Sequence, residues 1–569
     1  MEYDIVVDNL SYTYLGQSEP ALRNINFTVD KGDFVLVAGP TGCGKSTLVY
    51  CLDGLIPHVF KGELNGRVVV DGKDTRNFEV YQLAQSVGTV FQNMENQLCS
   101  LIVEDEAAFG PENLALPKEE IRKRVNFALE ATGIHDYRQK YVFNLSAGQK
   151  QRTVIASTLS MLPKILVLDE PLSELDPVGC RDMLQTLEKL NKDLGITIVI
   201  AEHKLEEVLG VVKRAFIMDK GRIVARGEPS EVFKDVELVE RLGLRVPESV
   251  KFSYKLIKKK LYPKLALSIE EVNATIASIG ALPSKHVLSF DPASRQYENC
   301  EVPKPLVKAE GLCYTYDDGT IALEDVNLSI SSGEFVAILG CNGAGKSTLA
   351  QALTGMLKPT LGKVYIDGED SAKCSTADVA ETIGYTFQNP ENQLFCETVR
   401  DEVAFGPIQL GLLENDVDER VKGAIHAMGL EQLEDRYPQA LSRGQRLRVA
   451  IASVLSMRPK VLILDEPLAA QDFNQIVSLM QHLKMLYNQG LAVIMITHDI
   501  NVTARYAGRV VLMDRGKIVA DGEPHDILSD EGLLISSGLS PPTAVSLSKH
   551  MGLRPMITID ELNQAIWGI

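Results

Sequence analysis

Two stretches carry the spacing GxxxxGK[ST], GPTGCGKST at 39–47 and GCNGAGKST at 340–348. A loop of this form joins a strand to a helix, and its backbone N–H groups, aided by the positive helix end, surround phosphate oxygens. Gly39, Gly42 and Gly44, with Gly340, Gly343 and Gly345, let the backbone approach that closely. Lys45 and Lys346 are expected to reach the β- and γ-phosphates, Thr47 and Thr348 to complete the loops, and Ser46 and Ser347 to meet Mg2+. Downstream, ILVLDE and VLILDE end apolar runs in paired acids. Asp169 and Asp465 are expected to hold Mg2+, directly or through water, while Glu170 and Glu466 polarise the attacking water. Gln92 and Gln388 follow GTVF and GYTF, where an amide oxygen can coordinate the metal or the water. His203 and His498 close further apolar runs and are read as catalytic. Taken singly, a strand-end acid can be a helix cap and a lone histidine a core residue. Downstream of a phosphate loop, at matched spacing, these residues point instead to hydrolysis of a nucleoside triphosphate.

The matched spacing comes from an internal repeat. Lys45 and Lys346 are 301 residues apart, Gln92 and Gln388 296, Asp169 and Asp465 296, and His203 and His498 295. The repeat runs beyond these motifs, since LSIEEVNATI (267–276) resembles ITIDELNQAI (557–566), so each copy carries a C-terminal appendage. The stretch between copies is rich in Pro, Ser and polar residues. The expected organisation is a first domain over 1–280, a linker over 281–304 and a second domain over 305–569.

The elements that must position these residues are legible from hydropathy. Runs such as FVLVAG, ILVLDE and TIVIAEH read as buried parallel strands, and the longer polar-apolar stretches between them as helices. That alternation predicts an α/β fold with a mainly parallel sheet, whose ligands sit beyond the carboxyl ends of the strands. The composition is globular: 45% hydrophobic and 24% charged residues, too long at 569 residues for one core. The balance of 58 Lys+Arg against 76 Asp+Glu, a net charge of −18, opposes coating of nucleic acid. Nine scattered cysteines without CxxC spacing suggest neither a disulfide framework nor a zinc site, and point to a reducing compartment. Neither a secretory leader nor an 18-residue apolar run is present, so a membrane role is expected only through a partner. KFSYKLIKKKLYPK (251–264), the most basic stretch, reads as a solvated face of the appendage, with contact to anionic lipid as the alternative.

LSAGQ (145–149) and LSRGQ (441–445) narrow the reading. With them the chain resembles the ATP-binding cassette family, whose signature is LSGGQ, over nearly all of its length. The resemblance implies two tandem nucleotide-binding domains, each with a mainly parallel sheet core, a helical signature subdomain and a small C-terminal appendage. It implies ATP as ligand and Mg2+ as cofactor. It also implies head-to-tail pairing of the two cassettes, with Ser442, Gly444 and Gln445 closing on the nucleotide of Lys45, and Ser146, Gly148 and Gln149 on that of Lys346. Tyr14 and Tyr316 match the aromatic that stacks on adenine, and Asp176 and Asp472 match the aspartate of the loop after the catalytic glutamate. The departures are Ala147 and Arg443, in place of the first signature glycine, and Gln471, where that loop usually has Leu.

Within the family the chain looks like the fused tandem ATPases of energy-coupling-factor or cobalt-type importers. The likeness rests on FQNMENQL and FQNPENQLF, on VEDEAAFGPENL and VRDEVAFGPIQL, and on the appendage. It implies a peripheral protein on the cytoplasmic face of the cell membrane. Its partners would be integral membrane subunits and a separate substrate-binding membrane subunit, taking up a micronutrient such as a metal ion or vitamin. Glu95, Gln97, Glu391 and Gln393 are the expected partner face. A soluble tandem ATPase acting on ribosomes or nucleic acid is the alternative. Against it stand the acidic balance, the absence of cysteine clusters and of a long charged linker, and the FGP segments.

Overall fold

The computed structural model describes residues 3–173, 175–279, 305–469 and 471–568. The chain divides into two compact units, Met1–Gly280 and Ala281–Ile569. The expected linker, 281–304, lies outside the described residues.

In the first unit a six-stranded sheet runs in the order Arg222–Gly227, Arg214–Asp219, Phe34–Ala38, Thr197–Ala201, Ile165–Asp169, Val87–Val90. All its pairings are parallel except the outermost, between Arg222–Gly227 and Arg214–Asp219. Ile165–Asp169 is buried at every position. Leu166 and Leu168 pack into one core with Leu36, Ile198 and Ile200, while Ile165 and Val167 pack into the opposite core with Val35, Val37 and Val199. Covering on both faces is why the run is continuously apolar rather than alternating. The helix Pro177–Leu194 shows the other period: Cys180, Met183, Leu184, Leu187 and Leu190 are its buried stripe. Asp176 caps it, Pro177 fills its first position, and Gly195, in the left-handed region, ends it. Each buried leucine contributes about 2 kcal/mol of transfer free energy.

The second unit repeats this sheet in the order Ile383–Thr386, Val461–Asp465, Ala492–Thr497, Phe335–Leu339, Arg509–Asp514, Lys517–Gly522. Each unit also has a four-stranded antiparallel sheet that the search for apolar runs did not separate out: Leu22–Asp30, Tyr3–Tyr14, Gly62–Val70, Lys73–Asp74 in the first, and Ile321–Ile330, Val307–Thr315, Leu361–Ile366, Glu369–Asp370 in the second. These strands mix polar with apolar residues because one face packs on the core and the other meets water.

Three helices form the signature layer, Val103–Asn113, Lys118–Ala131 and Ala147–Leu159 in the first unit, and Val399–Gln409, Glu414–Ala427 and Arg443–Leu455 in the second. The appendages are helical too. In the second unit Leu528, Leu534, Leu539, Val545 and Ile557 share a core with the sheet residues Leu339, Val510 and Leu512. The basic stretch lies on the helix Glu248–Lys258, which buries Val250, Phe252 and Leu256. Lys251 and Lys258 pair with Glu240 and Glu237 of the preceding helix, as a solvated face does. Among the described residues no helix is long and apolar enough to cross a membrane.

Candidate active sites

Each unit gathers its phosphate loop, paired acids, histidine, glutamine and upstream tyrosine at the carboxyl ends of the parallel strands. In the first unit the loop runs from the strand Phe34–Ala38 into the helix Lys45–Leu52. Gly44 has φ +107°, and a Cβ there would stand 2.7 Å from the carbonyl oxygen of Ala21, so the loop admits no side chain at this point. The buried Lys45 donates from Nζ to the carbonyl oxygens of Gly39 at 2.8 Å and Pro40 at 3.2 Å. Its Nζ is also 3.6 Å from Glu170 Oε1. Tyr14 and Thr47 share a hydroxyl–hydroxyl hydrogen bond of 3.1 Å, which places the tyrosine ring over the loop helix.

Asp169 ends its strand, and Glu170 turns out of it at φ +49°, a left-handed conformation unusual for a residue with a side chain. Its N–H is held by the carbonyl of Ala201 at 2.8 Å. Gln92 donates from Nε2 to Glu170 Oε2 at 2.8 Å, a bond that no local pattern announces. His203 Nδ1 is 3.7 Å from both Glu170 Oε1 and Glu202 Oε2. Glu202, fully buried, accepts from the backbone N–H groups of Leu172 at 2.8 Å, His203 at 2.8 Å and Lys204 at 3.0 Å. Burial pushes Asp169 up to about 6, against the opposing Ser46 hydroxyl. Burial acts in the same direction on Glu170, but His203 and Lys45 outweigh it and hold that carboxyl at about 2. For His203, burial disfavours the charge while Glu170 and Glu202 favour it, and the pKa is raised.

The second site has the same plan with different surroundings. Lys346 Nζ donates to the carbonyls of Gly340 at 2.8 Å and Cys341 at 2.9 Å, and lies 3.9 Å from Glu466 Oε1. Glu466 again has positive φ, +46°. His498 Nδ1 is 3.1 Å from Glu466 Oε2 but outside hydrogen-bond geometry, so both carboxylate oxygens of Glu466 are buried without a hydrogen bond. Gln388 makes no bond to it among the described residues. A residue without a counterpart joins here: Tyr385 donates from its hydroxyl to Asp465 Oδ2 at 2.9 Å, where the first unit has Thr89. Tyr316 and Thr348 repeat the tyrosine–threonine bond at 3.0 Å.

The signature residues stand apart from these clusters, at the N-termini of Ala147–Leu159 and Arg443–Leu455. Ser146 and Gln149 form a reciprocal capping box, as do Ser442 and Gln445, so each serine hydroxyl sits at the positive end of its helix. Asp176 and Asp472 cap the following helices through the N–H groups of Gly179 and Gln475. The departure Gln471 is buried and satisfies its own amide on the carbonyl of Pro467 at 2.7 Å, which keeps the loop closed.

The residues of the expected partner face fall into two settings, with Glu95 and Glu391 exposed and Gln97 and Gln393 half-buried. Gln97 turns inward, accepting from the N–H of Phe91 and donating to the carbonyl of Thr89, and Gln393 bonds the carbonyl of Ala450. Glu95 and Glu391 are tied to Lys150 and Arg446. The two glutamines hold the segment in shape, while the two glutamates stay on its surface.

A hard cation fits both sites. Asp169 Oδ1 and Asp465 Oδ1 are buried carboxylate oxygens without a hydrogen-bond partner, and Ser46 and Ser347 act on the same carboxyls. Oxygen donors of this kind, few in number, suit Mg2+ held jointly with phosphate oxygens.

The chain matches the family described as ABC transporter over residues 22–173 and 323–469. A Methanosarcina acetivorans protein, provisionally named an ABC transporter ATP-binding protein, is 41% identical over 552 residues, covering 95% of this chain and 89% of its own. A Methanosarcina mazei protein of the same provisional name is 40% identical over 569 residues, 98% of this chain and 96% of its own. Among solved structures, that of cbiO1 from Clostridium perfringens, described as part of the ABC transporter complex cbiONQ, is 38% identical. It covers 43% of this chain and 99% of its own, with a TM-score of 0.39. With both phosphate loops, both acid pairs and both signatures present, the chain belongs to the ABC transporter family, as an ATP-binding subunit made of two tandem ABC ATPase cassettes.

Proposed function

We propose that both cassettes hydrolyse ATP and that the chain is the energy-coupling subunit of an importer of the energy-coupling-factor or cobalt type, drawing in a micronutrient such as a metal ion or vitamin. On this reading the domains are 1–280 and 305–569, with 281–304 as the linker. In each site the loop N–H groups and Lys45 or Lys346 bind the β- and γ-phosphates, and Tyr14 or Tyr316 stacks on adenine. Ser46, Gln92 and Asp169, or Ser347, Gln388 and Asp465, hold Mg2+, which when bound neutralises charge on the phosphate oxygens. Glu170 and Glu466 orient and polarise the attacking water, and His203 and His498 hold those carboxylates and meet the γ-phosphate. Each signature serine and glycine closes on the other cassette's nucleotide, so the pairing is tighter with ATP than with its products. The difference in affinity between the two arrangements does the mechanical work on the membrane subunits.

The observation that carries the coupling role is an exposed apolar face beside each FQN segment. In the first unit Leu101, Phe109, Tyr141 and Phe143 are 60%, 48%, 56% and 73% exposed, and the N–H of Val142 bonds the carbonyl of Leu101, which brings the segment of Tyr141 and Phe143 to Leu101. In the second, Phe395 and Phe405 pack edge to face with centroids 4.9 Å apart while staying exposed, next to Ile408. Clustered apolar surface of this kind suits a helix of a membrane protein. The test is mild-detergent purification of the tagged chain from its own cells. A multi-spanning protein should co-purify and raise the ATPase rate, and Phe109→Glu with Phe405→Glu should release it while leaving ATP binding intact. Recovery of a soluble chain with ribosomal proteins or nucleic acid would sink the importer reading.

A further inference from the structure

The repeat differs in one place behind the second signature. In the first unit Arg152 Nη2 donates to Asp182 Oδ2 at 3.1 Å, a pair joining the signature helix to the helix Pro177–Leu194. In the 296-residue register the matching residues are Arg448 and Ser478, so the second unit keeps the cation and lacks the carboxylate. The guanidinium occupies the same place: Nη1 lies 3.8 Å from where a Cβ on Gly429 would stand, as Arg152 Nη1 lies 3.1 Å from that point on Gly133. Arg448 Nη1 donates to the carbonyl of Met428 at 3.3 Å, and among the described residues no carboxylate pairs with it. Burial alone acts on its pKa, downward, and an arginine so placed remains charged. Beside it is a cavity of about 180 Å³ lined by Arg448, Ser478, Gln471, Asn474, Gln475 and the signature Gly444. Against the ~30 Å³ that a water takes in the liquid, this is room for a ligand of several heavy atoms.

We propose that this cavity binds a small carboxylate anion, paired with Arg448 in the place that Asp182 fills in the first unit. The planar guanidinium fork matches a planar carboxylate, and the first unit displays that match within the same fold. One cation among neutral side chains balances one negative charge, so a monoanion is matched and a phosphate dianion leaves its second charge unpaired. Asn474 and Gln475 offer amide groups for a second polar group on the ligand. Because Gln475 Oε1 stands 2.6 Å from the Cβ position of Gly444, an occupant that engages Gln475 bears on the second signature and not on the first. The site does not depend on what the transporter carries.

The test is saturation-transfer NMR of the monoanions acetate and glycolate on the full chain, with both phosphate loops filled by Mg-ADP so that they take no anion. The wild-type chain should bind with a dissociation constant of about 1–10 mM. Ser478→Asp, which restores the first unit's pair and should not harm folding, should weaken binding about tenfold or more, and Arg448→Gln should do the same. Arg152→Gln should leave it unchanged. Binding that survives Ser478→Asp, no binding to the wild-type chain, or inorganic phosphate displacing acetate better than glycolate does would each overturn the proposal.

Discussion

Replacing Tyr385 by Phe removes one oxygen atom from the second site, and its consequence can be worked out. The ring is 7% exposed, its hydroxyl donates to Asp465 Oδ2 at 2.9 Å, and Asp465 Oδ1 has no hydrogen bond at all. Burial raises the Asp465 pKa while the Ser347 and Tyr385 hydroxyls oppose it, so loss of the phenol leaves a buried carboxylate with less compensation. An acceptor stranded in this way costs about 1–3 kcal/mol. For a unit of this size about 1 kcal/mol moves the midpoint by ~2–4 °C, so calorimetry without nucleotide should show the second unit's transition falling by about 3–10 °C. The first unit has Thr89 at that position, and its transition should not move. Mg-ATP should restore much of the deficit, since a cation at Asp465 Oδ1 compensates the same charge. A fall smaller than about 1 °C, or one of equal size with and without Mg-ATP, would refute both the bond's value and the placement of the metal.

The first unit offers three further tests. Asp169→Asn should stabilise the nucleotide-free chain at pH 7 by up to about 3 kcal/mol, because the acid is pushed from 3.8 up to about 6 and its ionised form is disfavoured above that pH. The gain should fade as pH falls from 6 to 4, where the wild-type carboxyl is neutral in the folded and then in the unfolded chain, and Mg2+-dependent nucleotide binding should be lost at every pH. Glu202→Thr, the residue found at the second site's Thr497, should lower the pKa of His203, whose raised value contributes stability at low pH that is lost as pH rises through it. NMR titration of the His203 ring decides this, and an unmoved midpoint would remove Glu202 from the account. Ser146→Ala should cost about 1 kcal/mol through the lost helix cap and speed amide exchange in the first turn of Ala147–Leu159; unchanged exchange there would show that the cap contributes nothing.

The parallel cores and the phosphate loops were legible because each rests on local rules. A continuous run such as ILVLD is a strand covered on both faces, and glycines at fixed spacing mark a loop that admits no Cβ. The capping boxes were legible too, as serine followed three residues later by glutamine, although the signature was read for its ligand rather than for its cap. What sequence alone could not supply were contacts between distant segments. Gln92 reaches Glu170 across 78 positions and Tyr385 reaches Asp465 across 80, and neither pairing leaves a local pattern. The backbone bonds of Gln97 and Gln393 were hidden for the same reason: a polar residue in a loop gives no sign of its partners until the chain is folded.

These long-range contacts make the two sites unequal although both keep the lysine, glutamine, paired acids and histidine. Glu170 is held by Gln92, approached by Lys45 and His203, and has its carboxyl at about 2. A carboxylate so stabilised is a poor acceptor of a proton, so if it is to polarise water it must first give up some of these contacts. Glu466 is approached by His498 at 3.1 Å and Lys346 at 3.9 Å but has no hydrogen bond on either oxygen, so its burial favours any donor that arrives. The constraint in the second site falls instead on Asp465, which Tyr385 fixes in place. One cassette therefore restrains its proposed base and the other its proposed metal ligand. On that arrangement a rise in pH that neutralises His203 should loosen the first base and leave the second site's metal ligand as it was.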